Sequence, residues 1–407
     1  MSLPVPLNRP GFRLFLLAQQ VSLIGDFFMP IALSFAVLKL TGSTRDLGIV
    51  VAAQVAPTSV LLLFGGAWAD RFPRRALMVC SDVARAMTQG IVAALVLSGT
   101  ARVWELVALM AAWGTAEAIA RPASFAYWPE LVSADEVEAA ASFEASTWSS
   151  SLIVGPVLAG VLVAAFSPGA AIAIDAATFL VSAAAIAASR PLVSRPPREE
   201  GGSTVRDIRE GWRELCARPW LVITYTVTAF QSLIWFGPLM VLGPAYASVH
   251  LGGASGWAVV MACWGVGGLV GGFTALRVRA SRPLVGAMIA IAAIGPAGVL
   301  WIVAPHLAVV AMASIVAGGG YFYSDAVQMA VVPQHVPDDV RSRVGAYGWL
   351  SFYSLQPIGM ASAGVLAATF APEAILAVTG MVVSLVALAA IATPAVNRLA
   401  RVEPSSR

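Results

Sequence analysis

The chain has 407 residues, 58% of them hydrophobic and 12% charged, with a formal net charge of +3. A soluble domain carries about 25% charged residues, so the composition excludes an ordinary water-soluble enzyme or nucleic-acid-binding protein and points to a polytopic membrane protein. Cys80, Cys216 and Cys263 have no pairing spacing and read as free thiols, and His250, His306 and His335 are scattered. Neither a metal site nor a cofactor is expected. Residues 1–10 are short and polar and the apolar run after them is too long for a signal-peptide core, so no cleavable signal is expected.

Twelve apolar runs are predicted as spanning helices, each near the roughly 20 residues that a crossing requires. In the first half they lie at 14–38, 47–67, 76–98, 103–121, 145–166 and 169–189. In the second half they lie at 220–246, 256–276, 284–304, 307–331, 344–370 and 373–394. The expected fold is therefore an all-α membrane protein with twelve transmembrane helices in two six-helix bundles. The divisions are 1–189, a linker at 190–219, and 220–407. The linker begins rich in Pro, Gly and charge and becomes amphipathic over Val205–Leu215, with Ile208, Trp212 and Leu215 on one side; it is predicted as an interfacial helix. Alternate loops hold only Lys39, Arg45 and Arg102, whereas the other loops and the termini hold 21 arginines. By the positive-inside bias both termini are expected in the cytoplasm.

In the first span Gln19, Ser22, Asp26 and Pro30 recur at helical spacing and form one polar stripe. A carboxylate at mid-depth costs at least about 2.5–3.5 kcal/mol on insertion scales. Asp26 therefore either hydrogen-bonds another helix or lines a wet cavity as a proton- or substrate-binding acid. Between the second and third spans runs Phe64-Gly-Gly-Ala-Trp-Ala-Asp70-Arg71-Phe-Pro-Arg74-Arg75, a short turn that makes its flanking helices antiparallel neighbours. In the third span Asp82 and Arg85 are one turn apart and able to pair. In the fourth, Glu117 and Arg121 carry the same structural reading or join a gate with Asp70. Asp175 is placed near the outer end of the sixth span, satisfied by snorkelling or an external pair.

Polar-aromatic stripes mark other spans. The fifth has Glu144, Trp148 and Ser151; the seventh has Tyr225, Thr228, Ser232 and Trp235 with Gln231 adjacent. The tenth has Tyr321, Ser324, Asp325 and Gln328, and the eleventh has Trp349, Tyr353 and Gln356. Each stripe taken alone serves helix packing or the membrane interface as readily as a ligand. The glycine run Gly265-x-Gly267-Gly268-x-x-Gly271-Gly272 has no strand before it and no Lys-Ser/Thr after it. It reads as helix packing rather than a nucleotide loop, and no nucleotide-driven transport is expected.

The halves also repeat. Gly65-Gly66 and Arg71 recur 206 positions later as Gly271-Gly272 and Arg277. Pro129, Val132, Asp135, Gly155 and Ala159-Gly-Val-Leu162 recur 204 positions later as Pro333, Val336, Asp339, Gly359 and Ala363-Gly-Val-Leu366. Leu276 stands where a second Asp70 would be.

The Gly66, Asp70, Arg71, Arg74, Arg75 arrangement resembles the loop between the second and third helices of the major facilitator superfamily, with Pro73 in place of the family glycine. Gly155-Pro156-x-x-Ala159-Gly160 looks like the fifth-helix motif of that superfamily's exporters. Several stretches resemble the branch that includes enterobactin and macrolide exporters. They are Gly25-Asp26, Asp82-x-x-Arg85-Ala86, Asp175-Ala-x-Thr-Phe179 and Val336-Pro-Asp-Asp-Val-Arg341-Ser-Arg343-Val. The resemblance implies alternating access by two parallel six-helix repeats around a central site. It implies a cytoplasmic gate at Gly66, Asp70, Arg71, Arg74 and Arg75, with Glu117 and Arg121. It also places the stripes of helices 1, 5, 7, 10 and 11 around the cavity: Gln19, Ser22, Trp148, Tyr225, Gln231, Trp235, Asp325, Gln328, Trp349, Tyr353 and Gln356. Asp26 is the expected proton-coupling acid, and Gly155, Pro156 and Gly160 the packing motif. The expected activity is proton-coupled efflux of a small amphiphilic molecule (a drug, antibiotic or siderophore) by a monomer in the plasma membrane, without nucleotide or nucleic acid. Uptake, lipid flipping and a transport-dead sensor or scaffold are the alternatives.

Overall fold

The computed structural model describes residues 5–192, 204–278 and 280–400, leaving aside the side chains of 62–71, 204–208, 338, 339 and 342. Every regular element among the described residues is helical. The chain divides into two compact units, Met1–Gly202 and Ser203–Arg407.

The first unit contains α1 (Pro10–Thr41), α2 (Thr44–Arg71), α3 (Arg74–Ser98), α4 (Val103–Tyr127), α5 (Val137–Ala165) and α6 (Pro168–Ala188). The second contains α7 (Pro219–His250), α8 (Ala254–Arg277), α9 (Pro283–Val303), α10 (Leu307–His335), α11 (338–366) and α12 (Pro372–Ile391). Ten of these, among the described residues, are long and apolar enough to cross a membrane. The two not in that set are α2, whose later side chains fall outside the description, and α11. At Ser354–Leu355 α11 breaks into pieces of 16 and 11 residues, each too short to cross alone. Large apolar side chains left exposed on the spans, such as Val161, Phe273, Val378 and Leu385, are surface that a bilayer covers.

Two further spans, α1 and α7, are interrupted near their middles. α1 loosens at Phe27 and Phe28, between Pro10–Asp26 and Met29–Thr41. α7 carries a π-helical turn at Ser232–Phe236, where the Ser232 hydroxyl donates to the Phe352 carbonyl at 2.5 Å. Such turns leave backbone groups for side chains to satisfy and recur at functional positions.

The sequence repeat becomes a packing repeat. In the first unit α1 packs on α5 and α6, α2 on α4, and α3 on α4 and α6. In the second, α7 packs on α11 and α12, α8 on α10, and α9 on α10 and α12. Gly155 and Gly359 hold equivalent contacts. A Cβ on Gly155 would lie 2.4 Å from Phe27 Cβ, at the break in α1. One on Gly359 would lie 2.1 Å from the Leu233 carbonyl oxygen, at the π turn of α7. Gly359→Leu is expected to destabilise the protein by roughly 1–3 kcal/mol, because the helix backbones must separate to admit the side chain. A thermal melt in detergent matching wild type would contradict that contact. The α8 glycines act alike: Gly267 and Gly271 face the Ile315 and Gly319 carbonyls, where a Cβ would come within 2.1 and 2.2 Å.

The linker helix, Thr204–Cys216, is longer than the predicted segment and docks on α11. The Arg343 Nη1 pairs with Glu210 Oε2 at 3.1 Å, and the Trp212 and Tyr347 ring centroids are 5.8 Å apart. The expected apolar side divides: Leu215 is buried, Trp212 keeps an exposed edge, and Ile208 lies outside the described residues. Docking against a helix splits an apolar stripe that a flat interface would bury whole.

Candidate functional site

Antiparallel packing of α3 on α6 opposes Asp82, Arg85 and Gln89 to Ser182, Phe179 and Asp175. The steps of three and four residues put each trio on one helix face. Ser182 Oγ donates to Asp82 Oδ2 at 2.6 Å, and Gln89 Nε2 donates to Asp175 Oδ2 at 3.0 Å. Between them the Arg85 guanidinium carbon lies 4.3 Å from the Phe179 ring centroid and 5.9 Å from that of Trp113. Both are cation–π distances.

Arg85 is the hub. Its Nη2 pairs with Asp82 Oδ1, and its Nη1 pairs with Glu117 Oε2 at 2.6 Å and lies 3.6 Å from Asp26 Oδ1. Glu117 is shared, since Arg121 Nε donates to its Oε1 at 2.7 Å. The Arg121 guanidinium carbon in turn lies 5.6 Å from the Trp148 ring centroid. Asp82, Arg85, Glu117 and Asp175 are all buried, and Asp26 is the accessible acid, with 19% of its side chain exposed.

Three carboxyls (Asp26, Asp82 and Glu117) meet two guanidiniums (Arg85 and Arg121), and a fourth, Asp175, lies at the edge of the group. If every group were ionised, the cluster would hold more negative than positive charge in a span, where each uncompensated ion costs several kcal/mol. Taking up a proton relieves that excess. The chemical capacity of the arrangement is thus proton exchange tied to rearrangement of Arg85 among its partners.

Several expected residues fall elsewhere. Asp175 is not at a snorkelling position: it is 0% exposed and held by Gln89. Glu117 and Arg121 pair with each other, the structural reading, and Glu117 also joins Arg85. Arg74 pairs with Glu130 and donates to the Ala126 carbonyl at 3.2 Å, and Arg75 donates to the Ile186 carbonyl at 3.2 Å, all within the first unit. Gly66, Asp70 and Arg71 lie outside the residues whose side chains are described. The α1 stripe serves helix contacts: Gln19 Nε2 donates to Ser124 Oγ at 3.1 Å, and Ser22 is buried. Gly160 and Pro156 are buried along with Gly155 in the packing of α5. Sequence reasoning missed Gln89 and Trp113, and had Phe179 within a motif but without a role; the signal available was Gln89, a lone amide one turn beyond Arg85.

The second unit has an aromatic interior. Trp235 stacks on Trp264 (centroids 5.4 Å apart), Trp264 reaches Tyr321 at 5.7 Å, and Phe236 meets Phe352 at 5.2 Å. Trp349 stacks on Tyr353 at 6.3 Å. Beside Trp235 and Trp264 is an apolar cavity of about 10 Å³, room for a single water. Trp235, which lines that cavity, is buried, as are Gln231 and Gln356, and the Gln231 Nε2 and Gln356 Oε1 make no hydrogen bond among the described residues. Gln328 Nε2 donates to Ser324 Oγ at 3.2 Å, and Asp325, next to Ser324, is exposed. The Tyr225 hydroxyl lies against Gly348, joining α7 to α11.

Helices long and apolar enough to span a membrane, with buried charges and an aromatic interior, are those of a multi-pass membrane protein. The Major Facilitator Superfamily profile matches residues 15–360, and the chain belongs to that superfamily. It is 28% identical over 268 residues to the uncharacterized MFS-type transporter YfiS of Bacillus subtilis, a match covering 65% of this chain and 62% of that protein. It is 24% identical over 236 residues to macrolide efflux protein A of Streptococcus pyogenes, covering 58% of each. The matches thus span about three fifths of the length of these relatives. Among solved structures, a point mutant of the nucleoside transporter NupG superposes with a TM-score of 0.76 at 12% identity, over 93% of this chain and 99% of that one.

Proposed function

We propose that the protein is a proton-coupled exporter of small, neutral or cationic amphiphiles, working by alternating access in the plasma membrane with both termini cytoplasmic. The observation that carries the proton coupling is the imbalance at Arg85, where Asp26, Asp82 and Glu117 compete for one buried guanidinium. Protonation of Asp26 removes one competitor and favours one facing state; release favours the other. Export is supported by the likeness to macrolide efflux protein A and by the Gly155-Pro156 motif of α5.

The cargo class follows from the interior of the second unit. Stacked aromatic faces bind apolar bodies and attract cations by about 0.5–2 kcal/mol per ring when desolvated, and exposed Asp325 adds a fixed acid. A polyanion would find Arg85 already compensated, because it faces three carboxyls.

The test is transport of candidate compounds in proteoliposomes, with and without an imposed pH gradient. Gradient-stimulated efflux is expected; cargo movement indifferent to the gradient would contradict the proton coupling. In a competition panel matched for size, cationic members are expected to outcompete anionic ones. The reverse order would make Arg85 a substrate ligand and overturn the cargo class.

A further inference from the structure

Asp175 and Gln89 form a separate pair at the edge of the Arg85 cluster, and its hydrogen bonds do not close as drawn for an ionised acid. Both side chains are 0% exposed. Gln89 Nε2 donates to Asp175 Oδ2 at 3.0 Å, yet Gln89 Oε1, equally buried, has no donor among the described residues. Asp175 Oδ1 is also poorly served. The hydroxyl proton of Thr178 goes to the Asp175 backbone carbonyl at 2.7 Å, leaving its 3.4 Å approach to Oδ1 without a proton. No basic side chain among the described residues is within ion-pairing distance of Asp175. A buried carboxylate with one good donor, next to a buried amide oxygen with none, is an expensive arrangement on both sides.

One proton mends both defects. We propose that Asp175 is a second proton-binding site of this protein, occupied as a carboxylic acid that donates to Gln89 Oε1 while Gln89 Nε2 donates to Asp175. Acid and primary amide are complementary, each offering one donor and one acceptor on a planar edge. The proton comes from water and returns to it, and no other bond changes.

The charged groups facing this pair are Asp26 from α1 and Arg85 from α3. Asp82 lies one turn along α3 from Arg85, and Glu117 of α4 lies behind Arg85. α5, which also packs on α6, carries Glu138 and Glu144 toward its N-terminal end. On the α1 side the site is sealed: a Cβ on Gly25 would fall 2.3 Å from both Asp175 Oδ1 and Thr178 Oγ1. The next residue is Asp26, so two acids share one wall, and ionising either raises the cost of ionising the other. The pair thus supplies Asp26 with a neighbour whose proton sets when Asp26 gives up its own.

This inference deepens the proton-coupled reading, but its test involves no transport, so the two fail separately. The probe is infrared difference spectroscopy of the purified, lipid-reconstituted wild type and variants at neutral pH, with thermal melting alongside. The wild type is expected to show the carbonyl stretch of a protonated carboxylic acid that Asp175→Asn removes. Asp175→Asn is also expected to melt at the wild-type temperature or above, because an asparagine presents the same donor and acceptor edge to Gln89. Gln89→Leu is expected to keep the band but shift it toward that of an acid without a hydrogen bond. Absence of an Asp175-dependent band, a large drop in melting temperature for Asp175→Asn, or a band untouched by Gln89→Leu would each overturn the proposal.

Discussion

Arg85→Leu is expected to cost about 3–5 kcal/mol of stability, the range seen when one partner of a buried ion pair is removed. The cost arises less from lost attraction than from what remains. Among the described residues, Asp82 then keeps the Ser182 hydroxyl, Asp26 loses its ion-pair partner, and Glu117 keeps Arg121. Removing an acid as well should restore part of the loss. Arg85→Leu with Asp82→Asn is expected to melt higher than Arg85→Leu alone, with a coupling energy well outside the additivity of independent sites. Melts in detergent and in lipid nanodiscs read both variants. A single-variant loss below about 1 kcal/mol, at the level of an exposed pair, would mean that Arg85 is not the hub.

Asp26→Asn is expected to abolish transport driven by a pH gradient while substrate exchange across equilibrated membranes persists. Asp26 is the acid of the cluster that combines contact with Arg85 and exposure, so it can trade protons with water as well as influence the guanidinium. Asn keeps the shape and cannot carry the proton. A tenfold or greater loss of the gradient-driven rate corresponds to about 1.4 kcal/mol or more of added activation free energy. Undiminished gradient-driven efflux would move the role to Glu117, Glu144 or Asp325.

Much of the fold is legible in the sequence because hydropathy reports which segments enter the bilayer and the repeat reports that the halves are built alike. Gly155 and Gly359 show how far this goes: their shared register foretells equivalent contacts, α5 on α1 and α11 on α7. Breaks are less legible. The π turn at Ser232–Phe236 follows no proline within the turn and depends on a carbonyl of α11 accepting the Ser232 hydroxyl.

The site is read in part for a related reason. Position along a span gives depth but not the neighbour at that depth. Asp82 and Arg85 are one turn apart and need only helix geometry to pair. That Glu117 and Asp26 converge on the same guanidinium requires α1, α3 and α4 to meet at one level. Asp175 is misread for lack of the α3–α6 register, which sets Gln89 opposite it.

The shared scaffold with unlike interiors has an evolutionary consequence. A duplicated bundle begins with two equal copies, but here one has accumulated ionisable groups around Arg85 and the other aromatic rings around Trp264. If the protein works as proposed, substitutions among those rings retune what is carried without altering the acids, while a change at Arg85 penalises every cargo alike. Adaptation to new compounds should therefore accumulate in residues 220–400, and loss-of-function variants that spare no compound should concentrate on α1, α3, α4 and α6.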